Sequence, residues 1–117
     1  MNHKDQITLQ LIIKYVNEVF TGIERYSLDY EKFSSDHMLK NGISMSVMQI
    51  GENVKRLSKE VRQKYNKIPW ALIGDMRNRF AHGYDAMNED IIWEVVTEDL
   101  PQLKVYCQEI LEKLENE

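Results

Sequence analysis

Apolar positions recur at helical spacing from the start of the chain. Ile12, Val16, Val19 and Ile23 form an i, i+4, i+7, i+11 stripe, flanked by Leu9, Ile13 and Phe20, which predicts a long amphipathic helix. The pattern lapses between Ser27 and Ser35, where a turn is expected, with a short helical turn over Asp29-Tyr30-Glu31-Lys32-Phe33. Asp36 is placed to N-cap a second long helix, because its carboxylate can accept from the free N–H groups of a first turn. In that helix Ile43, Val47, Ile50, Val54, Leu57 and Val61 alternate spacings of four and three, a narrow seam suited to bundle packing. A second, less apolar face carries Asn41, Met45, Met48 and Glu52 and is expected to line a groove or a partner surface.

Asn66-Lys67-Ile68 breaks the periodicity, and Pro69 restarts a helix at a position where a missing N–H costs nothing. This third helix is predicted to run to about His82, with Gly83 as a left-handed cap. Asn88 is expected to cap the next segment, with Glu89 and Asp90 favouring its positive end. Pro101 then requires either a kink or a restart at Thr97, after which Leu100, Leu103, Cys107, Ile110 and Leu114 continue the stripe. No strand alternation, repeat or low-complexity tract interrupts the pattern. The expected fold is all-α, an up-and-down bundle of four to five helices forming one domain over residues 1–117.

Composition narrows the functional classes. Apolar residues at 43% and charged residues at 29% are ordinary for a soluble globular chain. No stretch approaches the ~18 apolar residues of a membrane span, and the first residues lack a signal-peptide pattern, so a cytoplasmic protein without membrane association is expected. The single cysteine, Cys107, rules out an intrachain disulfide or a multi-cysteine metal site and reads as a buried small hydrophobe. Trp70 and Trp93 are expected as core or interface anchors. His3 and His37 have no neighbours at metal-ligand spacing, and no zinc, P-loop, dinucleotide or serine-triad motif is present, so neither metal nor cofactor is expected.

The net charge of −4 conceals an uneven distribution. Residues 51–79 carry eight basic against three acidic side chains, whereas residues 80–117 carry two basic against ten acidic. A local +5 gives salt-sensitive, mostly sequence-independent attraction for phosphate, although a lysine-rich solvated helix face has the same composition.

The positive segment ends on Arg77-Asn78-Arg79-Phe80-Ala81-His82-Gly83-Tyr84. Arginine clamps phosphate with a planar fork, and histidine moves protons near neutral pH, so the cluster is a candidate for phosphodiester chemistry. In an ideal helix Arg77 and His82 lie about 140° apart. An unwound last turn at Gly83 relaxes that separation. Asn78 and His82 share a face, so the amide could fix the imidazole tautomer or bind a phosphate or ribose oxygen. Plainer roles also fit: His82 as a cap on helix carbonyls, Arg77 or Arg79 paired with Asp75, Asp85 or Glu52, and Tyr84 as a half-buried aromatic.

Arg77 to Tyr84 fits an R-x(4)-H-x-Y motif and resembles that of the HepT-like toxins of the HEPN superfamily. The resemblance extends to Gln49-Ile50-Gly51-Glu52-Asn53-Val54-Lys55-Arg56-Leu57, to Ile68-Pro69-Trp70, and to Ile92-Trp93-Glu94-Val95-Val96-Thr97-Glu98-Asp99-Leu100-Pro101. It implies a metal-independent endoribonuclease acting as a toxin, working as a homodimer whose two motifs meet in one basic cleft. By that carry-over Arg77 and His82 are catalytic and Asn78 occupies the polar position after the arginine. The RNA's own 2′-hydroxyl would attack, leaving a cyclic phosphate. The implied partner is a minimal nucleotidyltransferase antitoxin that transfers AMP to the motif tyrosine, here Tyr84. Glu52 is a supporting candidate that could orient Arg77 from the facing helix, and Arg79 a second one. The alternatives are a non-catalytic, AMP-accepting helical partner of a nucleotidyltransferase, and a bundle in which Arg77, Arg79 and His82 hold a nucleotide phosphate.

Overall fold

The computed structural model describes the backbone of residues 3–81 and 89–115, and the side chains of residues 3–75 and 89–113. The chain folds into α1 (His3–Tyr26), α2 (Tyr30–Ser35), α3 (His37–Arg56), α4 (Lys59–Lys64), α5 (Trp70–Ala81) and α6 (Glu89–Glu94). A π-helical turn (Val95–Asp99) then joins α6 to α7 (Leu100–Glu115). The described residues contain no strand, and the architecture is the expected all-α bundle. α3 lies between α1 and α5, and α1 packs in turn on α7.

The core is the set of stripes read from the sequence. Leu9, Ile12, Val16 and Val19 from α1 meet Ile43, Val47, Ile50 and Val54 from α3, and Leu100, Leu103, Cys107 and Ile110 from α7. Ile13, Phe20 and Ile23 pack on the edge of this cluster and are only partly buried. Cys107 is fully buried, and burial pushes its thiol pKa up to about 12, the inert small hydrophobe expected. Leu114, the last position of the stripe, lies outside the described side chains.

Local signals account for most boundaries. Ser27 takes a left-handed backbone (φ 48°) after α1, and the Leu28 N–H returns to the Ile23 carbonyl at 3.0 Å. Asp29 caps α2 by accepting from the Lys32 N–H, and Asp36 caps α3 by accepting from the N–H groups of Met38 and Leu39, both at 3.1 Å.

Two boundaries differ from expectation. The continuous seam from Ile43 to Val61 belongs to two helices: Leu57 leaves helical geometry (ψ 142°) and Ser58 starts α4 by accepting from the Val61 N–H. Leu57 and Val61 stay buried because the break redirects the chain without removing them from the core. The buried carboxylate of Asp5, in the first turn of α1, accepts from the Ser58 N–H at 3.0 Å and holds that corner. At Pro101, where a kink or a restart is expected, the irregularity takes the form of a π turn over Val95–Asp99. Proline lacks an N–H and its ring would crowd the carbonyl four residues back, and one π turn absorbs both demands, with the Leu100 N–H bonding the Val95 carbonyl. The expected Asn88 cap and Gly83 cap lie outside the described residues.

Candidate functional site

α5 carries the first part of the motif, and its buried face fixes its rotation. Trp70, Ile73 and Gly74 point into the bundle, while Ala71, Leu72 and Asp75 are exposed. The Trp70 indole N–H donates to the Tyr65 carbonyl at 2.9 Å, tying the start of α5 to the end of α4. With 3.6 residues per turn, position 77 follows Gly74 on the inward side, whereas positions 78 and 79 fall on the outward side with 71, 72 and 75.

The inward side of α5 runs along α3. A Cβ on Gly74 would come within 3.2 Å of the Lys55 side chain and 3.9 Å of Val54, so the second turn of α5 rests on the last turn of α3. Because α3 ends at Arg56, the rest of this contact runs back towards its start, and the two helices are antiparallel. One turn beyond Gly74 is position 77, and one turn before Lys55 is Glu52. The backbone therefore brings Arg77 and Glu52 to one level of the α3–α5 seam.

Glu52 is partly buried there, with the Arg56 guanidinium 3.8 Å away. The face predicted from Asn41, Met45, Met48 and Glu52 continues to Lys55 and so borders α5. Met45 on that face is 52% exposed, and Met38, near the start of α3 and bordering a small cavity against α1, is 81% exposed.

The side chains of Arg77, Asn78 and Arg79, and His82 and Tyr84 altogether, lie outside the described residues. What the structure describes is the frame on either side of them: α5 before, and an anchored α6 after.

That second anchor was not legible in the sequence. Lys40, buried on α3, donates to Glu89 Oε1 at 2.7 Å, and Ser34 Oγ of α2 donates to Glu89 Oε2 at 2.5 Å. The Tyr30 hydroxyl donates to Asp90. Trp93, one turn on, stacks on Phe33 with ring centroids 5.1 Å apart and meets Tyr30 edge-on at 6.4 Å. The first turn of α6 is thus pinned to α2 and α3 immediately after residues 82–88. Charge complementarity with the helix start explained Glu89 and Asp90 in the sequence; their partners stand 49 to 60 residues away, which no local pattern reveals.

The hydrogen bonds from Lys40 and Ser34 hold the Glu89 carboxyl below its usual pKa, with the Lys40 charge adding to the effect. A depressed folded-state value contributes stability above the unfolded pKa, and that stability is lost as pH falls through the folded value. Lys40→Met should cost roughly 1–2 kcal/mol near neutrality, between an exposed and a fully buried pair. Urea denaturation at pH 7 and near pH 3 should show the gap to wild type narrowing in acid; a gap independent of pH would contradict the anchor. Among the described residues no group of three or more His, Cys, Asp or Glu could hold a metal ion, and no helix is long and apolar enough to cross a membrane.

Comparison with known proteins places this frame in a family. Residues 12–110 match the family profile described as Ribonuclease HepT-like. A protein of Caldanaerobacter subterraneus, provisionally named an RNase, is 40% identical over 92 residues, covering 78% of this chain and 82% of that protein. A Methanocaldococcus jannaschii protein named as a gamma-glutamylcyclotransferase and, provisionally, an RNase is 31% identical over 109 residues. That alignment takes in 92% of this chain and 49% of the longer protein. A Thermococcus cleftensis protein provisionally named ribonuclease HepT is 25% identical over 108 residues, 88% of this chain and 90% of that one. No solved structure gives a significant match.

Proposed function

The chain belongs to the HepT-like ribonuclease family, and from that premise we propose that it is a metal-independent endoribonuclease whose reacting groups are Arg77 and His82. The observation that carries the reading is the Arg77-Asn78-Arg79-Phe80-Ala81-His82 run itself, which lies within the residues that match the family profile and begins on α5. Arg77 sits at the α3–α5 seam, level with Glu52, where a carboxylate can orient a guanidinium against a scissile phosphate. Arg77 then stabilises the charge that grows on the phosphorus oxygens, and His82 transfers the protons.

The RNA 2′-hydroxyl is the nucleophile. Its oxygen bonds to the adjacent phosphorus, its proton passes to the base, and the 5′-oxygen leaves with a proton. A 2′,3′-cyclic phosphate and a 5′-hydroxyl result. Asn78, four residues before His82 in the chain, serves as the tautomer-fixing or phosphate-binding amide. Arg79 adds positive charge.

The protein acts as a cytoplasmic toxin and as a homodimer, two motifs sharing one cleft. Exposed Met38 and Met45 along α3 supply an apolar surface for the second copy. Its control is by a nucleotidyltransferase antitoxin: the Tyr84 phenolic oxygen attacks the α-phosphorus of ATP, pyrophosphate leaves and the phenolic proton is released. The attached AMP places negative charge beside Arg77 and repels RNA. Expression of the chain alone should arrest growth, co-expression of the antitoxin should relieve the arrest, and His82→Ala should remove it. Normal growth with abundant soluble wild-type protein would count against the toxin reading and favour a passive, AMP-accepting subunit.

A further inference from the structure

The strongest feature outside the motif is an open groove of about 810 Å³ between α4 and the first turn of α5. Lys59, Arg62 and Asn66 stand along one side, and Pro69, Ala71 and Leu72 line the other. Pro69, Ala71 and Leu72 are exposed, Leu72 by 40%, although they open a helix whose neighbouring residues Ile68, Trp70 and Ile73 are buried. Residues 55–67 hold six of the chain's fifteen basic side chains and one acid, Glu60. Arg62 is partly buried, and its Nε is enclosed without a hydrogen-bond partner, so the chain leaves part of this guanidinium unsatisfied.

The groove and the motif occupy opposite ends of one short helix. By register, position 79 follows Leu72 two turns on along the outward face, about 10 Å away at 1.5 Å per residue. A stacked single strand advances about 3.4 Å per nucleotide, so about three nucleotides cover that distance.

We infer that the α4–α5 groove is an RNA exosite, which holds single-stranded substrate about three nucleotides short of position 79, within the motif that carries Arg77 and His82. This rests on the ribonuclease reading. Lys59 and Arg62 in the groove, with Lys67 between the lining residues Asn66 and Ile68 in the chain, neutralise backbone phosphates, Asn66 offers hydrogen bonds, and the apolar side packs against base and ribose faces. Asp75, exposed one turn beyond Leu72, is the acid on this face of α5 between groove and motif, so the strand passes it with its phosphates turned away. An acidic polypeptide would satisfy the same charges. RNA is favoured because the groove lies at the start of the helix on which the motif begins.

The test separates binding from cleavage. Binding of an uncleavable RNA of about 12 nucleotides, with 2′-deoxy sugars throughout its cleavable positions, is followed by fluorescence anisotropy against salt. The triple variant Lys59→Gln, Arg62→Gln, Lys67→Gln should weaken binding about tenfold and reduce the salt slope by about 2, at roughly 0.7 for each phosphate no longer neutralised. Leu72→Glu, an exposed change that tests the groove should the triple variant fold poorly, should weaken binding likewise. Cleavage of a dinucleotide, too short to reach the groove, should fall far less than cleavage of the longer strand. Unchanged affinity and slope in both variants would overturn the exosite. So would equal reductions on the two substrates, or poly-glutamate that binds the groove and is not displaced by RNA. Failure of the wild type to cut either substrate sinks the ribonuclease reading instead and leaves the binding result to decide the groove.

Discussion

Replacing His82 by alanine should lower RNA cleavage by about 10²–10⁴-fold, the usual contribution of a positioned acid–base group. Arg77→Ala should cost on the order of 10²–10³-fold, the loss of one preorganised donor to developing negative charge. The two losses should combine less than additively, because both groups serve one transition state. Both residues belong to the end of α5 and the segment after it, while the core depends on Trp70 and Ile73 at the beginning of that helix. Thermal unfolding of each variant should therefore stay close to wild type. Glu52→Gln provides an internal comparison: if Glu52 orients Arg77 across the seam, it should reduce turnover with little change in KM. A His82→Ala protein that cuts RNA at the wild-type rate would remove the histidine from the mechanism.

The second large effect is an on–off switch at Tyr84. Incubation with ATP and the nucleotidyltransferase should raise the intact mass by adenylyl increments and abolish RNA cleavage. Tyr84→Phe should gain no mass and remain active in the presence of the antitoxin, since the phenylalanine offers no oxygen to attack the α-phosphorus. Modification that leaves cleavage intact would separate AMP transfer from inhibition and contradict the electrostatic block.

Much of this was legible in the sequence because it depends on short-range periodicity. The stripes of α1, α3 and α7 identified the core, Asp36 identified a helix start, and the Arg77–Tyr84 run identified the family. The break at Leu57–Ser58 was hidden because its apolar spacing passes through the corner unchanged; Ser58 followed by Glu60 and Val61 was the available cue. Pro101 announced an irregularity, but its accommodation as a π turn depends on the packing of α6 and α7 against the same core. The polar anchors were inaccessible for another reason. Asp5 reaches Ser58, and Lys40 reaches Glu89, across 53 and 49 residues, and such pairs exist only once the bundle has formed. The first holds the α3–α4 corner and the second the start of α6, whereas the motif residues were found by their chemistry and by resemblance.

If, as proposed, this chain cuts RNA with its own side chains and the substrate's 2′-hydroxyl, no metal is needed for the reaction. The most direct measurement uses purified wild-type protein, shown by mass to be free of AMP, with a defined RNA in excess EDTA. Cleavage to a 2′,3′-cyclic phosphate and a 5′-hydroxyl is expected, and no cleavage when the sugar at that position is 2′-deoxy. An intact RNA, or a 2′-deoxy strand cut at the same rate, would contradict the proposal.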